Sequence, residues 1–274
     1  MNTRNNHIKG EGWLGAVRLY GRFFGIHLRS AMEYKLSFFF TVLGQFLTSF
    51  SVFLEIYFMM SRFHRVEGFT FNDILLCYAA VLMGFTMGEM FFRGFDTFPS
   101  MISNGSFDRV LLRPRNEIFL VLASRVEFTR VGRLIQCLVI FCFAIPNSGV
   151  DWTPFKVFVL LLMCLGGTVY FSALFLTYAS FSFFTLEGLE FMNIFTDGGR
   201  EHGKYPLSIY GREVLWITTW ILPMACVQYY PLMYLLGRSS SMLYAFTPLA
   251  GFVFYIPCWL FWRFGLRHYR STGS

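Results

Sequence analysis

RGFDTFPSMISNGSFDRVLLRPRNE, Arg93 to Glu117, is the longest polar interval between two strongly apolar segments in the first half of this chain. It reads as structured. Phe98-Pro99 suits the opening of a short helix, because proline's fixed φ fits a first helical position. Asn104-Gly105 suits its close in the left-handed conformation. Ser106 stands as the N-cap of a second short helix, with Asp108 in the first turn, where the helix dipole favours a carboxylate. Phe107, Val110 and Leu111 fall at i, i+3 and i+4, on one face. Arg113 precedes Pro114, which stops the helix. A helix this short is not stable alone in water. Its apolar face needs a support: a membrane surface, the rest of the chain, or another protein.

The flanks fix the setting. Of 274 residues, 55% are hydrophobic and 14% charged, with a mean hydropathy of +0.50. A soluble chain would carry about 25% charged residues. Apolar runs of about 20 residues recur, long enough to cross a hydrocarbon core of roughly 30 Å. These features predict an all-α, multi-pass membrane protein forming one domain. The net charge of +7 then belongs to topogenic lysines and arginines, and nothing in it calls for nucleic acid. Six cysteines at 77, 137, 142, 164, 226 and 258 show no paired spacing, so neither a disulfide framework nor a zinc site is expected. The first 35 residues hold no apolar region followed by a cleavage site, so no cleaved signal peptide is expected.

In order along the chain, residues 12–35 interleave apolar and basic positions. Leu14, Val17, Tyr20, Phe24 and Leu28 recur at helical spacing, with Arg18, Arg22 and Arg29 off that stripe. This predicts an amphipathic helix in the headgroup plane. Six spans follow, over 36–60, 74–92, 118–145, 155–180, 214–229 and 242–264. The third is longer than a bilayer requires and carries Arg125, Glu127, Arg130 and Arg133 in its first half. Residues 181–212 are semi-polar. Leu186, Leu189, Met192 and Phe195 recur every three residues, which predicts a surface-lying helix ended by Gly198-Gly199. Residues 231–238 are apolar but too short to cross, and suit a re-entrant or interfacial helix.

Six spans place both termini on one side. With that side cytoplasmic, most of the 23 lysines and arginines are inside, as the positive-inside rule requires. Residues 93–117 then lie in the cytoplasm.

Gly198 to Tyr205, GGREHGKY, nearly matches a P-loop, but Tyr205 stands where magnesium binding needs Ser or Thr. No other enzyme motif is present, and this chain is not expected to hydrolyse ATP by itself. Glu55 and Glu89 lie within spans, where a carboxylate is costly. Glu89 sits near a span end and reads as hydrated there or paired with a neighbouring basic side chain, rather than as a polar lining to a substrate path. Glu55 is a candidate for a translocation path. Ala80, Gly84 and Gly88 form a small-residue ladder that permits close helix approach, within the chain or across a dimer. Pro223, Pro248 and Pro257 kink the last two spans, and the carbonyls they free either line a cavity or are buried.

An amphipathic first helix, six spans, and SNGSFDRVLLRPRN after span two resemble the permease subunits of ABC-2-type transporters (type V exporter-like). TLEGLEFMNIFTDGGREHGKYPLSIYGR followed by ILPMACVQYYPLMYLLGR is similar to a bacterial branch of that family. Its recurring marks are a glycine-bounded coupling stretch, here Asn104-Gly105 with Pro114 beyond it, and two Tyr-Pro pairs, here Tyr205-Pro206 and Tyr230-Pro231. The resemblance implies two permease subunits in the bacterial inner membrane, identical or related, with both termini of this chain cytoplasmic. It implies two separate ATP-binding subunits beneath them, which hold the ATP and magnesium, and no cofactor on this chain. Export of a hydrophobic or amphiphilic cargo is the usual direction. The helices of 93–117 become the coupling element, with Phe107, Val110 and Leu111 against the ATPase and Asp108 and Arg109 at the rim. The resemblance makes residues 231–238 a short external helix. Arg130 and Arg133 depart from a smooth apolar span. The competing reading is an ion-coupled carrier or channel that works without an ATPase, with Glu55 as the titrating group.

Overall fold

The computed structural model describes residues 13–63, 65–185 and 189–271. Helix α1 (Trp13–Ala31) is followed by α2 (Lys35–Phe63) and α3 (Phe71–Phe92). A capping box starts α3: Thr70 Oγ1 accepts from the Asp73 N–H, and Asp73 accepts from the Thr70 N–H. Two satisfied donors make this a firm start. Then come α4 (Phe98–Ser103), α5 (Ser106–Leu111), α6 (Glu117–Ala123), α7 (Val131–Asn147) and α8 (Pro154–Phe181). Thr153 caps α8 and Pro154 occupies its first position. The last third holds α9 (Asn193–His202), α10 (Arg212–Trp220), α11 (Met224–Val227), α12 (Tyr229–Leu235), α13 (Met242–Phe246) and α14 (Ala250–His268).

Long helix α8 is the central post. It packs against α3 on one side and α14 on the other, α7 packs on α3, and α2 packs on α7. Small residues set these approaches. A Cβ on Gly84 would lie 2.9 Å from the backbone of Gly167, and one on Gly88 would lie 3.2 Å from Phe171 Cβ. The Ala80–Gly84–Gly88 ladder is therefore used inside the chain, against α8. At the other contact, a Cβ on Gly251 would lie 2.5 Å from the Gly166 carbonyl oxygen, and one on Gly166 would lie 2.6 Å from that of Pro248. Backbone meets backbone there.

Among the described residues, five helical stretches are long and apolar enough to cross a membrane: Lys35–Phe63, Phe71–Ser103, Phe128–Asn147, Pro154–Phe181 and Met242–His268. Three expected elements take a different form. The span expected over 118–145 is divided: α6 stops at Ala123, Glu127 donates its N–H to the Met90 carbonyl, and α7 starts afresh at Val131. Ser124 and Arg125 stay exposed, while Val126 is buried between them and Glu127. The span expected over 214–229 is also broken. Pro223 has no N–H to donate, and the N–H groups of Ile221 and Leu222 both turn back to the Ile217 carbonyl. Helix α9 replaces the expected surface helix. It runs through Gly198 and Gly199 to His202 and packs on α3 and α8. Leu186, the first residue of that expected stripe, lies outside the described residues.

One end of the bundle, the basic end, gathers residues 93–117 and 268–271. There α1 lies alongside. Tyr20 Oη donates to the Phe91 carbonyl at 3.4 Å, and the Phe24 and Phe128 ring centroids are 4.6 Å apart. The far end is clipped by Arg238, which donates to the Gly68 carbonyl at 2.6 Å and covers the Phe69 ring at 3.9 Å. Helix α12 thus sits beside the far-end loop.

Candidate functional site

The hairpin at the basic end is built as its local sequence dictates. Gly105 turns the chain between α4 and α5 at φ +67°, and Asn104 Oδ1 accepts from the Ser106 N–H at 3.0 Å. Ser106, expected as an N-cap, is instead the first helical residue, and its hydroxyl donates back to the Met101 carbonyl. Pro114 follows as an exposed stop.

The apolar face of α5 has its support within the chain. Phe107 is fully buried. Its ring lies 4.8 Å from Phe98, 5.2 Å from Tyr269 and 5.9 Å from Phe183. Trp262 of α14 is also fully buried, 4.7 Å from Phe98, 5.0 Å from Phe183 and 5.9 Å from Phe95. This aromatic hub joins the hairpin to α14 and to the end of α8. Phe107 is therefore not free to contact a partner, contrary to expectation, and Val110 is half-buried. Of the i, i+3, i+4 row, the chain covers Phe107 fully and Val110 in part, and leaves Leu111 exposed.

Asp108 is likewise engaged. It accepts from Tyr269 Oη at 3.0 Å and from Ser271 Oγ. Burial, then the hydrogen bond to Asp108, pushes the Tyr269 hydroxyl up to about 12. What the hairpin presents outward is Arg109, Leu111 and Leu112. Leu112, at 85% exposed, is the residue that periodicity missed, because it falls off the apolar row. Beside it, Arg109 and Arg113 line a notch of about 260 Å³ with Phe23, Met101 and Ser106.

Near the same end, Glu89 of α3 is buried and holds three guanidinium groups. Arg93 lies 3.1 Å away, Arg130 lies 3.2 Å away, and Arg133 is bonded to its other oxygen. Arg130 also donates to Gln45 of α2 at 2.9 Å. One carboxylate thus ties α2, α3 and α7. Of the two alternatives, hydrated or paired, Glu89 is paired, and its partners account for the two arginines that interrupt the third apolar run.

The third constellation is where α9 enters the bundle. Lys204 is buried, donates to Glu55 Oε2 of α2 at 3.1 Å, and is bonded to Glu201. Gln228 Nε2 donates to the Gly203 and Tyr205 carbonyls at 3.0 and 2.8 Å. The near P-loop stretch is therefore a helix end and turn packed into the protein. Tyr205 and Pro206 shape that turn. Tyr230 meets Thr219 Oγ1 at 3.0 Å and its ring lies 5.0 Å from that of Tyr244, tilted by 55°, while Pro231 is buried in α12. A cavity of about 30 Å³ separates this segment from α2, bordered by Thr48, Tyr78, Arg133, Arg200 and Lys204. Along α2, Ser37, Thr41, Gly44, Thr48, Ser51 and Glu55 form an exposed stripe at alternating spacings of four and three.

The arrangement offers an exposed apolar and basic knob at one end, a charged latch between spans, and a polar stripe on an outer helix. Among the described residues no nucleophile and base are assembled. A family model described as ABC-2 family transporter protein matches residues 46–273. No curated protein and no solved structure matches the chain.

Proposed function

Since this chain belongs to the ABC-2 family of transporter proteins and is a multi-pass permease, we propose that it exports an amphiphilic cargo using ATP hydrolysed on a separate subunit. In this reading the basic end is cytoplasmic, as the charge bias favours, and the membrane is a bacterial inner membrane. Two ATP-binding subunits, carrying ATP and magnesium, dock beneath a pair of permeases. The pair is two copies of this chain or this chain with a related one.

The observation that carries this reading is the hairpin's division of labour. Its inner face is locked into the aromatic hub, while Leu111, Leu112, Arg109 and Arg113 face outward. An apolar pair ringed by arginines suits a groove on a soluble partner better than a lipid headgroup plane alone. Aromatic pairs contribute about 0.5–1.5 kcal/mol each beyond their area, so the hairpin moves with α14 and α8 rather than apart from them. The polar stripe of α2, with Glu55 at its latch to Lys204, lines the route between the paired permeases.

Replacing Leu112 with Asp tests the docking face, because the side chain supports nothing inside the chain. Co-purification with the ATPase and ATP-driven transport are expected to fall at least tenfold, with unchanged membrane level and unchanged thermal unfolding. Full transport by the variant, or transport in liposomes without nucleotide, would overturn this reading and favour the ion-coupled carrier.

A further inference from the structure

The break in the fifth expected span borders the largest cavity described, a lateral groove of about 840 Å³ between α10–α12 and α13–α14. Ligand pockets run from about 300 to 1,000 Å³, so the groove can take a whole small molecule. Its walls include Trp220, Ile221, Pro223, Leu243, Val253 and Phe254, and no charged side chain borders it. Trp220, Leu243 and Val253 are exposed, so it opens on the outer surface of the bundle.

Three oxygens on its walls have their hydrogen-bonding roles set by the surrounding chain. Thr219 Oγ1 donates its one hydrogen to the Leu215 carbonyl at 2.6 Å. Tyr230 Oη, 3.0 Å from that oxygen, must then be the donor of their bond, which leaves its own lone pairs unused. Thr247 Oγ1 donates to the Tyr244 carbonyl at 2.9 Å and is likewise left as an acceptor. In an unbroken helix the Thr219 carbonyl would accept from residue 223, but residue 223 is proline. It receives only the weak Cys226 thiol at 3.7 Å. Irregular backbone at membrane depth is tolerated where it lines a cavity or is buried in protein, and this break lies on the groove wall.

We propose that this groove is the cargo site, and that it takes an uncharged, largely apolar molecule which donates hydrogen bonds, through a hydroxyl or amide N–H, to Tyr230, Thr247 and the Thr219 carbonyl. The proposal rests on the exporter reading for the word cargo, while the binding chemistry stands apart from it. An anion is disfavoured because every fixed group named is an acceptor. A carboxylate or an ammonium would also enter an apolar wall without a counter-charge.

The test uses the full chain in nanodiscs and three photoactivatable aryl probes of one skeleton: a primary alcohol, its methyl ether and its carboxylate. The alcohol is expected to label residues 219–230 and 243–257 at least fivefold over the ether and tenfold over the carboxylate. Tyr230→Phe is expected to bring the alcohol down towards the ether. Val253→Trp, at an exposed position that fills the groove from outside, is expected to abolish labelling by both without altering thermal unfolding. Equal labelling by alcohol and ether, or a wild-type groove that takes no label because another chain covers it, overturns the site. In the complex assembled with its ATPase, Val253→Trp should abolish transport of the alcohol. Transport retained in that variant means a resident lipid occupies the groove, and overturns the cargo assignment. Absence of ATP-driven transport in the wild type would instead count against the exporter reading, and the labelling result would still decide the site.

Discussion

Two polar intervals, residues 93–117 and 193–211, have similar chemistry on paper and opposite fates in space. Each mixes glycines, arginines and aromatic residues between apolar runs. The first stays at the end of the bundle, with Arg109, Arg113 and Arg115 outside, Arg93 turned in to Glu89, and its phenylalanines inside. The second enters the bundle with Lys204 inside. The difference lies in what each charge finds. No span offers a carboxylate to Arg109 or Arg113 among the contacts described, whereas Lys204 meets Glu55 on α2 and Glu201 on α9. A buried ion pair contributes little net stability but is costly to half-remove. Partner availability, rather than polarity, decides which interval sinks.

The largest expected effect breaks the first region alone. Trp262→Ala empties the hub beneath the hairpin and should cost about 3–5 kcal/mol, read as a lowered midpoint in denaturant titration of the purified protein. The second region answers to a smaller change. Gln228→Leu strands the Gly203 and Tyr205 carbonyls, at about 1–3 kcal/mol. It should also open Cys77, fully buried beneath them, to maleimide, scored by peptide mass mapping. Unchanged Cys77 protection would mean that the α9 turn is held by something other than Gln228.

Tyr269→Phe deletes one hydrogen bond to Asp108, for about 1 kcal/mol. The contribution of that bond is complete below the ordinary tyrosine value of 10.0 and is lost as pH rises through about 12. Between neutral pH and about pH 10 the difference between wild type and variant should therefore stay constant, and it should shrink as pH rises through about 12. At the bottom of the scale, Leu112→Asp should change stability by no more than about 0.5 kcal/mol. It separates docking from folding because any loss it causes is a loss of partner.

Much of the architecture was legible from the residues. Runs 36–60, 74–92, 155–180 and 242–264 are long and unbroken, and each corresponds to a membrane-length helix. Gly105 and Pro114 punctuate the hairpin as their backbone preferences demand. Other features depend on contacts distant in sequence. Periodicity identified an apolar face on α5 but could not tell whether Trp262 or another protein covers it. The break near Pro223 was foreseeable as a kink, since proline lacks a donor. That the chain would divide into three short helices beside a groove depends on Gln228 reaching the Gly203 carbonyl, 25 residues away. Arg130 and Arg133 looked anomalous in an apolar run because Glu89, their shared partner, lies on another helix.

The backbone contact at Gly166 and Gly251 carries a mechanical consequence. With oxygen where a Cβ would be, α8 and α14 have no side-chain layer on which to slide, yet they remain able to rock about that point. It acts as a fulcrum. From Gly251 to Trp262, α14 runs for eleven residues, about 16 Å of lever arm. A displacement of roughly 2 Å at the hub, as a shifting hairpin would produce, turns α14 through about 7° on that arm. The α14 wall of the groove, Val253 to Pro257, lies on the same arm between fulcrum and hub. In this geometry a push at the basic end reaches the groove as a tilt of one wall, geared down by its nearness to the pivot.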